Sequence, residues 1–213
     1  MKTIRISNWK RTVLGSLALL GILAVILFTL VLKQTGRDFD RREAINHLNQ
    51  ISMALFEFDS EYGSFPNAGT IADVREDTCT ELDLGTTNSN QFFRQLFATG
   101  LKAERLFHIH RTSPPARRPD EVITKGKALG VGECSWGYLP ASSEPSAPLV
   151  FGPIIPGTRR FDPVPLRGQA LILRRDNSTS ALRINPRTGG VTLNRMDFFD
   201  PRQPWAKEIK LPE

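Results

Sequence analysis

Two histidines with a single residue between them are the side chains whose type and spacing most clearly suggest chemistry. His108 and His110 flank Ile109, and alternate residues of a β-strand project from the same face. Two imidazoles on one face can ligate a metal, but zinc sites take three or four protein ligands. No third ligand follows at a recognisable spacing. We therefore predict a short strand with a polar edge at residues 106–110, and no metal site.

The remaining histidine gives little support for catalysis. His47 lies one helical turn after Glu43, and a Ser-His-Asp arrangement would also need an activated serine. The chain has no Gly-x-Ser-x-Gly elbow, no Walker loop and no dinucleotide fingerprint. We predict that His47 contributes to the polar surface of a helix and that the protein is not an enzyme. No catalytic or cofactor-binding residues are therefore expected.

The charge balance bears on nucleic-acid binding. The 213 residues include 28 basic and 22 acidic side chains, which give a formal net charge of +6. Four of the basic residues lie among the first eleven positions. The rest of the chain therefore has 24 basic and 22 acidic side chains. A nucleic-acid footprint needs Lys and Arg gathered on one face, and the densest basic runs, at 111–118 and 159–160, are short. We predict no nucleic-acid partner.

Residues 12–32 form an apolar run without a charged side chain. At 1.5 Å per residue, a helix over this run covers the roughly 30 Å of a bilayer's hydrocarbon. A cleaved signal peptide is the alternative, but its apolar region is about 7 to 15 residues long and ends at a small-residue cleavage site. The run therefore predicts a transmembrane helix in contact with membrane lipid.

The basic residues before this run predict its orientation. The first eleven positions contain Lys and Arg but no acidic residue, which by the positive-inside rule keeps the amino terminus in the cytoplasm. We predict a cytoplasmic basic tail at 1–11, a transmembrane helix at 12–32 and an exported domain at 33–213. The expected location is the bacterial inner membrane, crossed once, with the carboxy-terminal domain in the periplasm.

The two cysteines of the chain, Cys79 and Cys134, both follow the predicted span. Export would place them in an oxidising compartment, where disulfides persist. A bridge between them would close a loop of about 55 residues and stabilise the fold by roughly 4 kcal/mol through its effect on the unfolded state. We predict this disulfide, with two buried thiols as the alternative.

An amphipathic helix is predicted soon after the span. Apolar side chains recur at alternating steps of four and three, which places them on one helical stripe: Ala44, Leu48, Ile51, Leu55, Phe58 and Tyr62. Gly63 provides the left-handed conformation common just past a helix end, and Pro66 prevents the helix from resuming. Because such a stripe must be covered, we expect the rest of the chain to pack on it.

The rest of the chain changes from a loop pattern to a β pattern. Residues 67–88 are typical of a loop, and residues 90–101 predict a short helix capped by Ser89 or Asn90 and ended by Gly100. Apolar segments separated by turn signals then predict strands at 135–139, 148–155, 169–175, 181–184 and 190–193. A long helix followed by antiparallel strands is an α+β domain.

The segment ISMALFEFDSEYGSFP, at positions 51–66, resembles type IV pilins and type II secretion pseudopilins, in which an aliphatic helix ends in Tyr-Gly-x-Tyr/Phe-Pro. More loosely similar are SNQFFRQLFATGLKAERLF, GECSWGYL and FDPVPLRGQALILRRDNS. The resemblance implies a pilin-like α+β fold: an N-terminal transmembrane helix running into a long amphipathic helix packed on a small antiparallel sheet.

Calcium is an alternative that this resemblance raises. Some pseudopilins bind calcium through loops of their carboxy-terminal sheet, and oxygen-rich runs occur here at Asp176-Asn177-Ser178 and at Asp197 to Asp200. Neither run matches the twelve-residue EF-hand pattern. We therefore predict hydrogen-bonded turns at both runs and no cofactor, with calcium as the alternative.

The chain departs from pilins at the processing site. The family has a Gly before Phe or Met and a Glu five positions after the cut, whereas Gly15 is followed by Ser-Leu-Ala-Leu-Leu. We predict an uncleaved chain. The resemblance implies a membrane-anchored structural or interaction component of a type II secretion or type IV pilus-like system, with other pseudopilins or secretion subunits as partners. The alternative is a stand-alone membrane-tethered binding module of the cell envelope that forms no filament.

Overall fold

The computed structural model describes residues 4–110, 112, 117–142 and 144–213, without the side chains of residues 4–19 and 30–39. The chain forms two compact units, Met1–Phe39 and Asp40–Glu213. The first helix, α1 (Ile4–Tyr62), contributes residues to both units. The helices and strands that follow belong to the second unit, which therefore contains the candidate sites.

The predicted transmembrane helix over residues 12–32 is wrong. In the part of the chain that the structure describes, no helix has both the length and the apolar character needed to cross a membrane. The predicted single-pass location in the bacterial inner membrane, with a periplasmic domain, is wrong for the same reason.

Within the second unit, α1 buries one side of the helix in the protein core. Five members of the predicted stripe are at most 3% exposed: Ala44, Leu48, Ile51, Leu55 and Phe58. Tyr62 is partly buried and stacks on Phe58 with the ring centroids 4.5 Å apart. The helix ends there because Gly63 follows with a φ of 71°, a conformation that a residue without Cβ adopts at little cost.

A second helix, α2 (Thr70–Thr78), lies within the segment that the sequence predicts to be a loop. Only two of its residues, Thr70 and Val74, are buried. The segment therefore lacks the apolar residues at every third or fourth position that predict a helix from sequence. Thr70 Oγ1 donates a hydrogen bond to Gln95 Oε1 at 2.7 Å. Tertiary contacts of this kind stabilise the helix where local sequence preference does not.

The third helix, α3 (Ser89–Ala98), is close to its predicted range. Its cap is Asn88, one residue earlier than predicted, whose side chain accepts a hydrogen bond from the Gln91 N–H at 3.0 Å. A short 3₁₀ helix at Glu104–Phe107 covers the first two residues of the predicted strand at 106–110, and residues 108–110 form no strand. That strand is therefore wrong, because weak alternation over five residues does not distinguish a strand from a buried turn.

The strands form a four-stranded antiparallel sheet in the order β1-β2-β3-β4. Their bounds are β1 (Gly137–Tyr138), β2 (Pro148–Gly152), β3 (Gln169–Arg174) and β4 (Thr179–Arg183). A separate antiparallel hairpin pairs β5 (Thr192–Leu193) with β6 (Met196–Asp197). The five strand segments predicted after residue 134 each overlap one of β1 to β5, and the α+β class is what the structure shows.

Apolar side chains cover both faces of this sheet. In β3, Leu171 and Leu173 join the core that contains the α1 stripe, whereas Ala170 and Ile172 join a second core. The second core is rich in aromatic residues: Phe151, Phe161, Phe198, Phe199 and Trp205. Because successive residues of a strand alternate between faces, a strand buried on both sides has an almost continuous apolar run.

Candidate functional site

The outer face of α1 is the set of exposed residues on the helix between positions 41 and 61: Arg41, Arg42, Asn46, Asn49, Gln50, Met53, Glu57, Ser60 and Glu61. These positions extend over about 30 Å of helix at 1.5 Å per residue. Two arginines lie at one end and two glutamates at the other, and Met53, near the middle, is 69% exposed. A large exposed apolar side chain in the middle of an uncovered helical face makes this face a candidate contact surface.

A groove beside α3, which we call the Phe92 groove, is a second candidate site. Its volume is about 490 Å³, within the range of roughly 300 to 1,000 Å³ typical of ligand pockets. Its apolar lining is Ala68, Phe92, Pro140 and Ala141, and its polar lining is Asn67, Thr86, Ser142, Arg175, Glu208 and Lys210. Apolar walls with a few polar groups are typical of binding sites for small molecules.

Arg175 is the most unusual member of the groove lining. Its guanidinium carbon lies 4.7 Å from the centre of the Phe65 ring, and its Nη1 is buried without a hydrogen-bond partner among the described residues. Desolvation lowers the pKa of Arg175, against the attraction of Tyr138 and Asp59. The Arg175 guanidinium is therefore partly removed from water, and no hydrogen bond to Nη1 offsets the lost hydration.

The three histidines of the chain lie close together, and Glu43 lies near two of them. Glu43 Oε1 is 3.9 Å from His47 Nε2 and 4.0 Å from His110 Nε2. The rings of His108 and His110 are nearly perpendicular, with centroids 5.1 Å apart. The fold thus joins α1 to the segment after the 3₁₀ helix, a proximity that sequence spacing does not reveal.

Burial favours the neutral form of the two inner histidines. Desolvation, with smaller repulsion from His110, Arg118 and His47, lowers the pKa of His108 to about 4. Desolvation also lowers the pKa of His47, against the attraction of Glu43. Among the described residues, no group of three or more His, Cys, Asp and Glu is arranged to hold a metal ion. The absence of a metal site stays a prediction.

The two cysteines are not joined. Cys79 is exposed at the end of α2, whereas Cys134 is buried, and both are free thiols. Desolvation raises the pKa of Cys134 to about 12, and its thiol donates a hydrogen bond to the Trp136 carbonyl at 3.3 Å. The predicted disulfide is therefore absent from the structure, and a thiol with such a raised pKa is inert because the thiolate is the reactive form.

The acidic runs considered for calcium make hydrogen bonds within their own turns. Asp176 Oδ1 accepts bonds from the Ser178 N–H at 2.9 Å and from the Ser178 hydroxyl at 2.6 Å. Asp197 Oδ1 accepts a bond from the Phe199 N–H at 2.9 Å. Side-chain bonds to the backbone two residues later are characteristic of Asx turns.

A buried arginine in α3 is a polar centre that the sequence did not reveal. Arg94 Nε donates to the Ala128 carbonyl at 2.7 Å, its Nη2 donates to the Leu129 carbonyl at 3.2 Å, and Nη2 also lies 3.4 Å from Glu213 Oε1. The buried Glu104 carboxylate accepts a hydrogen bond from the Leu129 N–H. A single arginine in an amphipathic helix is ordinarily exposed, so no sequence signal marks this structural role.

Comparison with known proteins does not identify a relative. No protein-family model matches the chain, and no curated protein or solved structure shows significant similarity to it.

Proposed function

We propose that residues 40–213 form a protein interaction domain without enzymatic activity, which serves as a pilin-like structural or interaction component of a type II secretion or type IV pilus-like assembly. The observation that carries this proposal is the outer face of α1. This helix buries one stripe within its own domain and leaves the other side uncovered over about 30 Å. A continuous helical face of that length can contact a neighbouring subunit without any change in the domain core.

The arrangement of α1 on the sheet supports the pilin-like part of the proposal. The α1 stripe lies in one core with residues of β2 and β3, and Ser52 Oγ donates to Asn177 Oδ1 at 2.6 Å, which links the helix to the β3–β4 turn. A helix packed on a small antiparallel sheet is what the resemblance implies. The segregated charges of the outer face would favour one alignment of a partner over others.

The positions of the perturbed ionisable groups favour an interaction role over catalysis. Glu104, His108 and Cys134 have shifted pKa values, and all three are buried, His108 being the most exposed at 6%. None of them lines the Phe92 groove; Arg175 does line it and has a lowered pKa, but a guanidinium stays protonated in proteins and is not a general base. A catalytic group must reach its substrate directly or through one water, so these shifts are better explained by the packing of the core.

Site-specific photocrosslinking in the native cell tests the proposal. A photoreactive residue replaces Met53 on the outer face, and the matched control carries it at Val131, which is 68% exposed in the segment before β1. Secretion or pilus subunits crosslinked from position 53, and not from position 131, are the expected result. Equal crosslinking from both positions, or none from position 53, would contradict an assembly role for α1.

The alternative is a stand-alone binding module that forms no assembly. The observation that favours it is the Phe92 groove, whose size and lining suit a ligand. Failure of crosslinking at position 53, combined with ligand binding in the groove, would favour this alternative.

A further inference from the structure

We infer that the Phe92 groove binds a small carboxylate with an apolar body, either a free organic acid or the carboxy-terminal residue of a peptide. This inference goes beyond the assembly role proposed above, because it concerns a different surface with a different kind of partner. It rests on the charge, the lining and the size of the groove.

The charges of the groove favour an anion. Arg175 and Lys210 contribute two positive charges and Glu208 contributes one negative charge. In the described part of the chain, neither Lys210 nor Glu208 has an ion-pair partner, and Arg175 Nη1 makes no hydrogen bond. The groove therefore has an excess positive charge that no protein carboxylate neutralises by direct contact.

The position of Arg175 strengthens this argument. Its contact with Phe65 provides a cation–π interaction, but an aromatic face supplies no hydrogen-bond acceptor, and Nη1 remains buried without a partner. A buried polar group without a partner costs free energy. A carboxylate in the groove would not reach the buried Nη1, but it matches the planar geometry of a guanidinium and would neutralise the charge of Arg175 in a way that an apolar ligand could not.

The apolar lining defines the rest of the ligand. The Phe92 side chain is buried and packs against Tyr138 with ring centroids 5.7 Å apart, which makes it a fixed wall. Pro140 is likewise buried, while Ala68 and Ala141 are exposed at the rim. A ligand body of a few carbon atoms would pack against these walls and remove the apolar surface of Ala68 and Ala141 from water, which is favourable. A strongly polar anion such as inorganic phosphate would forgo that gain.

Two-dimensional NMR titration of the full chain tests the inference with three probes. N-acetyl-leucine represents a carboxy-terminal residue, hexanoate represents a free acid, and N-acetyl-leucinamide is the neutral control of matched shape. We expect saturable shifts at the groove amides with at least one of the two acids. The neutral amide should bind roughly tenfold more weakly, because it loses a charge-assisted hydrogen bond. Tighter binding of N-acetyl-leucine would indicate a peptide terminus, and tighter binding of hexanoate would indicate a free acid.

Charge variants locate the contact within the groove. Arg175→Met and Lys210→Met retain an apolar stem and should each weaken acid binding several-fold, whereas Glu208→Gln should leave it unchanged or strengthen it. Arg187→Met is the matched control, because Arg187 is exposed in a turn outside the groove.

Lys210→Met keeps the test decisive if loss of the Arg175–Phe65 contact unfolds the domain. Equal binding of N-acetyl-leucine and N-acetyl-leucinamide would overturn the inference. Acid binding that is insensitive to Lys210→Met, or the absence of saturable shifts with both acids, would also overturn it.

Discussion

Replacing Leu55 by Ala should destabilise the second unit strongly, because Leu55 is completely buried in the centre of the α1 stripe. The change removes three carbon atoms from a core that also holds Phe58 and residues of β2 and β3. Such large-to-small core changes cost about 2 to 5 kcal/mol, as lost transfer free energy plus the cavity that remains. For a chain of this size, roughly 2 to 4 °C of melting temperature correspond to each kcal/mol, so we expect a loss of about 4 to 20 °C.

Met53→Ala is the matched control, because Met53 lies on the same helix two residues earlier and is 69% exposed. It should change the free energy of unfolding by less than about 0.5 kcal/mol, as surface substitutions usually do. Urea denaturation followed by the fluorescence of the buried Trp136 and Trp205 measures both variants, and an unchanged m-value shows that the same surface is exposed on unfolding. Equal effects of the two substitutions would refute the assignment of the stripe to the core.

Three further expectations concern acidity, thiol reactivity and close packing. The pKa of His108 is lowered from 6.5 to about 4, so the unfolded chain takes up a proton in this range before the folded chain does. The His108 contribution to stability is therefore lost as the pH falls from 6.5 towards 4, by up to about 3 kcal/mol; denaturation of His108→Asn between pH 7 and pH 4 should show a correspondingly smaller loss. A maleimide reagent should label Cys79 in the folded protein and Cys134 only after unfolding, and mass spectrometry of the labelled chain would detect the opposite order. Gly137→Ala should cost about 1 to 3 kcal/mol by overpacking, because its Cβ would overlap the buried Phe151 ring across the strand pair; an unchanged melting temperature would show that the ring can move aside.

Much of the second unit could be predicted from neighbouring residues. The steps of four and three that define the α1 stripe, the Gly63 stop and the alternation of apolar segments with turns each depend on residues close together in the chain. Helical and extended periodicities follow directly from backbone geometry, which is why the end of α1, the helix α3 and the positions of β1 to β5 were foreseen. Helix α2 was not, because with only Thr70 and Val74 buried its helical state depends on tertiary contacts.

Apolarity alone led to the wrong membrane prediction. The prediction depended on the absence of charge over residues 12–32, whereas a membrane span is a helix that is both long enough and apolar enough to cross the bilayer. No helix in the described residues meets that requirement. Likewise, the disulfide prediction depended on export and on the number of cysteines, whereas bridging depends on the distance between two Cβ atoms in space.

The candidate sites were decided by tertiary structure. The sequence by itself determined that the chain has three histidines, an amphipathic helix and scattered arginines. It did not determine which of these side chains are in contact in the folded protein. His47 approaches His110 through Glu43, and Arg175 lies over Phe65, only because the packing of α1 and the sheet brings distant segments together. Local patterns depend on the geometry of a few consecutive residues, whereas such meetings depend on how whole elements bury their apolar faces. Local patterns can therefore be read directly from one sequence, whereas contacts between distant segments become visible only in the folded structure.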